Sequence, residues 1–346
     1  MPIFFLPSAR RKDILLAGTG QFGFATISYF LRKNLGNRFL ACFDISDENV
    51  QRTARAYKYD KTAQTFSELL AIEGGQYVYI ASNHASHAPY AVEALNAGKI
   101  VYIEKPIAVS HEQLAKLVTA IRDTEGHLYV GYNRPFSPAI EKLRESIDRS
   151  STPFTINCFV SGHIIPDHHW YRLPNEGTRI CGNVGHWLDL VVHILGWRSL
   201  PNLLEISIAY SDRETPDDNL AINLTSESGD LIGITLSSRC EPFEGINETI
   251  NIQKGSSIAK IDDFRRIVIW SDAKIEKYRF WPKDVGHEAA VLQPFRPDGY
   301  HRNLEEIVDS SLLMLHITDM VRSREQQSTF SFGEERVRLE TISRQS

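Results

Sequence analysis

The chain has 346 residues, 42% of them hydrophobic and 23% charged, with 21 Gly, 15 Pro and a formal net charge of −5. That length exceeds one small core and suits two domains, and the composition excludes a disordered or collagen-like chain. With neither a basic excess nor a basic stripe, the chain does not read as a nucleic-acid binder, and Arg10-Arg11-Lys12 reads as a solvated lead-in to the first strand.

Cysteines at 42, 158, 181 and 240 form no CxxC pair, which argues against a disulfide framework or structural zinc. The N-terminal MPIFFLPSARRK sets a short apolar patch before its charges, the reverse of a secretory signal. No stretch reaches the about 18 uninterrupted apolar residues of a membrane span. The expectation is a soluble cytoplasmic protein.

In chain order, Asp13–Ala17 reads as a short strand ending in glycine, followed by a helix over Gln21–Lys33. Strand Arg38–Phe43, helix Asp47–Tyr57, strand Gln76–Ala81, helix Ser86–Asn96 and strand Lys99–Ile103 come next. Ser110 opens a further helix with a Ser-x-x-Gln capping box ending at Gln113, and His127–Gly131 is another strand. This alternation implies a parallel sheet with helices on both faces. After Asn133 the rhythm changes. Helix Ala139–Ser146 precedes strands over Thr155–Val160, Leu204–Tyr210, Ala221–Thr225, Ile232–Ser238, Thr249–Gln253, Ser257–Ile261 and Ile267–Trp270. Their β-branched runs and turn punctuation suggest a largely antiparallel sheet. Gly185–Leu195 and Leu304–Arg322 read as helices, and the last ten or so polar residues as loosely held. The division is therefore 1–133 and 134–346.

The first strand runs into Gly18-Thr19-Gly20-Gln21-Phe22-Gly23, a G-x-G-x-x-G between strand and helix, the context that dinucleotide binding requires. Gly18 permits the turn, Gly20 lets backbone approach a pyrophosphate, and Gly23 lets the helix pack near the sheet. The helix N-terminus, with Gln21 and Phe22, supplies free N–H groups for the phosphates. Asp44 ends the second strand, 26 residues beyond Gly18. An acid there accepts hydrogen bonds from ribose hydroxyls and repels a 2′-phosphate, and no Arg follows closely, so NAD is expected over NADP. Asp44 also reads as a solvated strand-end acid.

Ile80-Ala81-Ser82-Asn83-His84, Glu104-Lys105-Pro106 and Gly131-Tyr132-Asn133-Arg134 each close a strand. With the glycine loop, they resemble the glucose–fructose oxidoreductase / inositol dehydrogenase / rhizopine-catabolism (Gfo/Idh/MocA) family over nearly the whole chain. Pro166–Trp170, Gly177–Asp189 and Ile261–Arg266 are similar to a bacterial branch linked with surface-sugar metabolism. The resemblance implies an α/β protein: an N-terminal Rossmann doubly wound parallel sheet, then a C-terminal α+β domain with an open, mostly antiparallel sheet for substrate binding and oligomerisation. It implies NAD(P)-linked redox of a secondary alcohol on a sugar, nucleotide sugar or cyclitol, no metal, and a homodimer or homotetramer. Ser82, Asn83, His84, His87 and Glu104 are then expected near the cofactor.

Lys105 either exchanges the alcohol proton or holds the substrate oxygen, with Glu104 orienting it. His186, Asp189 and His193 form a polar stripe at i, i+3 and i+7 on an otherwise apolar helix. His186 suits a proton shuttle near neutral pH, with Asp189 to orient it; a satisfied structural histidine is the other reading. Many relatives carry Asp four residues before this histidine, where this chain has Gly182, then Asn183. That departure leaves open whether Lys105 or His186 is the main acid/base. Asn133, Asn183, His169, Tyr171 and Arg172 are candidate substrate contacts. Arg134 suits a bidentate phosphate or carboxylate, or equally a salt bridge between domains. His163, Asp167, His168 and His169 lack metal-site spacing, and Pro166 breaks the run. Two other readings are an NAD-using glycosidase acting by transient oxidation and elimination, and a dinucleotide-binding sensor.

Overall fold

A computed structural model describes residues 11–212, 214–296 and 298–345. The N-terminal apolar patch and Arg10 lie outside those residues. The chain forms two compact units: residues up to Glu104 with Leu117–Gly131 and Val291–His301, and Lys105–Lys116 with Tyr132–Ala290 and Arg302 onward.

The first unit is built on six parallel strands: β1 (Ile14–Ala17), β2 (Phe39–Phe43), β3 (Lys61–Thr62), β4 (Tyr77–Ile80), β5 (Ile100–Ile103) and β6 (Leu128–Val130). Their order is β3-β2-β1-β4-β5-β6, so the winding reverses between β1 and β4. Helices cover both faces, which is why β1 and β2 are apolar throughout and wholly buried. Helix Asp47–Tyr57 starts at Ser46, whose hydroxyl accepts from the Asn49 amide, and ends on Lys58 in the left-handed region. The expected helix over Gln21–Lys33 forms, with a π-helical stretch over Gly23–Ser28 that leads into an α-helix over Tyr29–Leu35.

The second unit carries nine strands: β7 (Phe154–Ser161), β8 (Leu203–Tyr210), β9 (Leu220–Ser226), β10 (Leu231–Ser237), β11 (Asn247–Lys254), β12 (Ser257–Asp262), β13 (Arg266–Ser271), β14 (Lys274–Arg279) and β15 (Gln327–Ser331). The order is β14-β13-β12-β11-β7-β10-β9-β8-β15. Every pair is antiparallel except β7 with β10. Side chains alternate across the sheet: in β7, Phe154, Ile156, Cys158 and Val160 are buried, while Thr155, Asn157 and Phe159 are exposed. Helices Gly185–Gly196 and Leu304–Ser323 pack together in this unit.

The C-terminal segment is not loosely held. Phe332–Gln345 is a helix anchored by buried Phe332 and Leu339, and by Arg336 donating to Asp309 at 2.7 Å. Among the described residues no helix is long and apolar enough to cross a membrane.

Candidate active site

In the first unit, Gly18 leaves β1 at φ 94°. A Cβ there would overlap the Ala81 carbonyl at the end of β4, and one on Gly23 would overlap the Gly18 carbonyl oxygen. A Cβ on Gly20 would meet nothing within 4 Å. Two glycines are thus fixed by crowding against protein, while the middle one borders open space, at the strand ends where the winding reverses. Backbone approach to a pyrophosphate needs that arrangement, so the residues present fit a dinucleotide.

The Asp44 carboxylate is aimed by its donors. The Thr19 amide reaches it at 2.6 Å, the Thr19 hydroxyl at 3.2 Å and the Ser46 amide at 3.0 Å. Arg52 folds back to the same turn and donates to the Thr19 carbonyl at 3.3 Å. Gln21 is exposed and Phe22 part-buried. Beyond β4, the Ser82 and Ser86 hydroxyls lie 2.7 Å apart, and Ser86 also donates to the Asn83 side-chain oxygen at 2.7 Å. Buried His87 places Nε2 3.1 Å from the Ser82 carbonyl, and the His84 ring stands 5.9 Å from it. Glu104 is buried, accepts from Tyr102 at 2.7 Å, and lies where a Cβ on Gly131 would overlap its carboxylate.

In the second unit, Lys105 Nζ donates to the Gly182 carbonyl at 2.8 Å. Gly182, which has no side chain to offer, therefore still meets the lysine through its backbone. Gly182 and Asn183 lie in a π-helical turn, Ile180–Val184, that leads directly into the helix bearing His186. His186 is 9% exposed and Asn183 8%, and both His186 Nδ1 and Asn183 Oδ1 are buried without a hydrogen-bond partner. Burial, then Arg134, Lys105 and His287, push the His186 imidazole well below its ordinary range. The ring is neutral at physiological pH.

Asp189 does not orient His186. Its two oxygens accept from Arg302 at 2.9 and 3.0 Å, and Ser310 adds a third bond at 3.0 Å. Arg302 also bonds Glu306, which meets His193 at 2.9 Å. The polar stripe therefore splits: Asp189 and His193 belong to a buried ion cluster with the helix Leu304–Ser323, and His186 does not. A fully buried carboxylate requires such pairing, because leaving one unpaired costs on the order of several kcal/mol.

Arg134 makes its bidentate contact to Glu248, at 2.8 and 3.0 Å, rather than presenting that edge to a ligand. It stacks 4.4 Å from the Trp187 ring, and Trp187 donates to the same carboxylate at 2.7 Å. Both partners lie in the second unit, so this pair does not link the two. Asn133 Nδ2 donates to the Val285 carbonyl at 2.6 Å, leaving Oδ1 buried without a partner.

Nδ1 of His169 accepts from the Tyr171 amide at 3.2 Å. Arg172 bonds Asp218 at 2.9 Å and backbone of its own loop, and buried Arg179 bonds the same Asp218 at 3.2 Å. The loop is thus tied down by Arg–Asp pairs not foreseen in the sequence. Among the described residues no group of three or more His, Cys, Asp or Glu is placed to hold a metal ion. His287 is a further addition: Lys105 and Arg134 act on it as they act on His186. No spacing rule connects two histidines 101 residues apart.

The model of a family described as "Oxidoreductase family, NAD-binding Rossmann fold" matches residues 12–132. The chain is 24% identical over 272 residues to inositol 2-dehydrogenase of Pseudomonas savastanoi pv. phaseolicola, covering 75% of this chain and 76% of that one. Levoglucosan dehydrogenase, solved in complex with NADH and L-sorbose, has a TM-score of 0.75 at 13% identity, covering 92% of this chain and 98% of that one. GenD2 from gentamicin A biosynthesis, solved in complex with NAD, gives 0.74 at 17%, covering 93% and 97%. At such identities the structural likeness is one of fold.

Proposed function

We propose that this chain is an oxidoreductase of the Gfo/Idh/MocA family that transfers hydride between a nicotinamide dinucleotide and a ring secondary alcohol or ketone of a sugar or cyclitol, a nucleotide sugar included. The observation that carries the reading is the glycine turn, closed at Gly18 and Gly23 and open at Gly20. Gly20 and the amides at Gln21 and Phe22 would hold the pyrophosphate. Asp44, aimed by Thr19 and Ser46, would take the adenosine ribose and repel a 2′-phosphate, which favours NAD over NADP. Ser82, Asn83, His84, His87 and Glu104 would line the rest of the dinucleotide site. When bound, the nicotinamide supplies the hydride acceptor or donor.

The chain's own residues manage the proton. His186, neutral and with Nδ1 unpartnered, accepts the hydroxyl proton. Lys105, steadied by the Gly182 carbonyl, donates a hydrogen bond to the oxygen that becomes a carbonyl. Asn133, Asn183, His169 and Tyr171 bind the substrate, while Asp189, Arg134 and Arg172 act by positioning. Phe159, Leu231, Ile258 and Trp270, exposed on the second sheet, support assembly into a homodimer or homotetramer.

The test is a thermal-shift comparison of NAD, NADH, NADP and NADPH, followed by turnover on cyclitols, sugars and nucleotide sugars. A ligand at about 100 times its Kd adds about 2.7 kcal/mol. The reading expects stabilisation by NAD(H) above NADP(H) and net NADH formation with a ring polyol. Product released without net NADH would instead favour transient oxidation and elimination.

A further inference from the structure

We propose that Asp263 is a positioning residue for His186: by gripping Glu248 it holds the Trp187 indole that flanks the imidazole. The inference rests on the dehydrogenase reading above and adds to it a residue that acts only through others.

Asp262 at the end of β12 pairs with Arg266 at the start of β13, so Asp263, Phe264 and Arg265 make the turn between them. Asp263 has φ 50° and Phe264 φ 48°. Two consecutive left-handed residues in a hairpin turn usually take Asn, Asp or Gly, and a bulky side chain there is an outlier. Such a conformation persists only where its surroundings fix it. Phe264 is fully buried, its carbonyl accepts from the Asp284 amide at 3.4 Å, and the Arg265 carbonyl accepts from the Phe280 amide at 2.8 Å. The strained turn delivers one group to the interior beside the ring of Phe264: the buried Asp263 carboxylate.

Asp263 holds the backbone of Glu248 at both polar groups. Its amide donates to the Glu248 carbonyl at 2.8 Å, and its Oδ1 accepts from the Glu248 amide at 3.2 Å. Lys283 pairs with the same oxygen, and Arg265 donates to Oδ2 at 3.2 Å. Lys283 also bonds the Ile246 carbonyl at 2.6 Å, so the chain entering β11 is fixed on either side of Asn247. The Glu248 carboxylate then meets Arg134 at 2.8 and 3.0 Å and the Trp187 indole N–H at 2.7 Å. All three side chains are buried, and a close-packed interior passes a shift of the Glu248 backbone on to them. Trp187 follows His186 in the chain. With Nδ1 unpartnered, the angle of the imidazole depends on its flanking rings, Trp187 at 6.0 Å and Tyr132 at 6.3 Å, both edge to face. Proton transfer needs the base within hydrogen-bond reach of the hydroxyl, and a small misplacement is felt in the rate.

The experiment uses the full chain with NAD and the probes myo-inositol, D-glucose and UDP-glucose, and it separates the two things the Asp263 carboxylate does. Asp263→Asn keeps an acceptor for the Glu248 amide and removes the charge. Asp263→Glu keeps the charge for Lys283 and Arg265 and displaces the acceptor by a methylene. For Asp263→Glu, kcat is expected to fall about tenfold, with KM and the Kd for NADH within about twofold. Asp263→Asn is expected to recover most of that loss. Arg266→Ala, which breaks an exposed pair with Asp262 beside the same turn, should leave kcat unchanged. In NMR of protein labelled at tryptophan and histidine, the Trp187 indole and His186 ring signals should move in Asp263→Glu and hold in the other two variants. An unchanged kcat in Asp263→Glu would overturn the proposal. Equal losses in Asp263→Asn and Asp263→Glu would overturn it as well, since Asp263 would then serve only as a charge partner. A fall in kcat with the His186 signals unmoved has the same force. If the wild type oxidises none of the probes, the dehydrogenase reading fails by itself, and the ring signals decide the rest: movement in Asp263→Glu alone supports Asp263 as the residue that sets His186, and signals that stay still overturn it.

Discussion

The two units present their chemistry in different ways. In the first, the proposed working surface is backbone: a turn made by glycines, helix amides, and one acid aimed by neighbouring amides. In the second it is side chains, held by buried pairs between residues more than a hundred positions apart, Arg134 with Glu248 and Asp189 with Arg302. Backbone chemistry is local and tolerates no added atom. Side-chain chemistry is assembled by the tertiary fold and fails when a charge loses its partner.

The comparison can be broken in the first unit by adding a single methyl group. Gly23→Ala would drive Cβ into the Gly18 carbonyl oxygen, and a loss of about 4 kcal/mol is expected in urea unfolding, at the upper end for point substitutions. Glu248→Ala comes next. It leaves the Arg134 guanidinium buried and unpaired, and about 3–5 kcal/mol should be lost, while NADH affinity measured by calorimetry stays within about twofold. A smaller effect, and a sharper one, belongs to Gly20→Ala. Nothing in the protein meets the new methyl, so the Tm should hold while the Kd for NADH rises about tenfold, equivalent to about 1.4 kcal/mol. If Gly20→Ala and Gly23→Ala behave alike, the distinction between ligand-facing and protein-facing glycines is wrong.

What was legible in the sequence follows the same divide. Strands β1, β2, β4 and β5 stand out as apolar runs because both faces of their sheet are covered. β14 and β15 were missed because they are the two edges of the second sheet. β14 is mostly exposed, with charged Lys274, Glu276, Lys277 and Arg279, so no alternating core face marks it. The final helix escaped notice for a related reason: Phe332 and Leu339 are its buried anchors in a largely polar run.

At the site, the glycine spacing and Glu104-Lys105-Pro106 are short-range signals, and the structure finds Gly20 open and Lys105 on the Gly182 carbonyl. The i, i+3, i+7 stripe was read as one unit because periodicity reports which face a residue occupies. It does not report whom the residue meets. Arg302 lies 113 residues beyond Asp189, and nothing local in the sequence points from one to the other.

The mildest expectation concerns thiols. Burial raises Cys42 and Cys158 to about 12 and Cys181 to about 11, with Asp44 adding to the rise at Cys42. Their thiolate forms are scarce at neutral pH, and the raised values vanish on unfolding. Iodoacetamide followed by peptide mass spectrometry should mark exposed Cys240 in the native protein. The other three should react only after denaturant is added. Early labelling of Cys42 would show that the first sheet opens more readily than its packing implies.

The central claim is hydride transfer with the proton handled by Lys105 and His186. Its most direct test is a ring polyol deuterated at the reactive carbon, incubated with enzyme and NAD, with the reduced nicotinamide analysed by mass spectrometry. The account expects deuterium in NADH from the wild type, and a loss of about a hundredfold or more in rate for Lys105→Ala and His186→Ala with NADH still bound. Absence of deuterated NADH across the cyclitol, sugar and nucleotide-sugar panel, or undiminished transfer by Lys105→Ala, would contradict it.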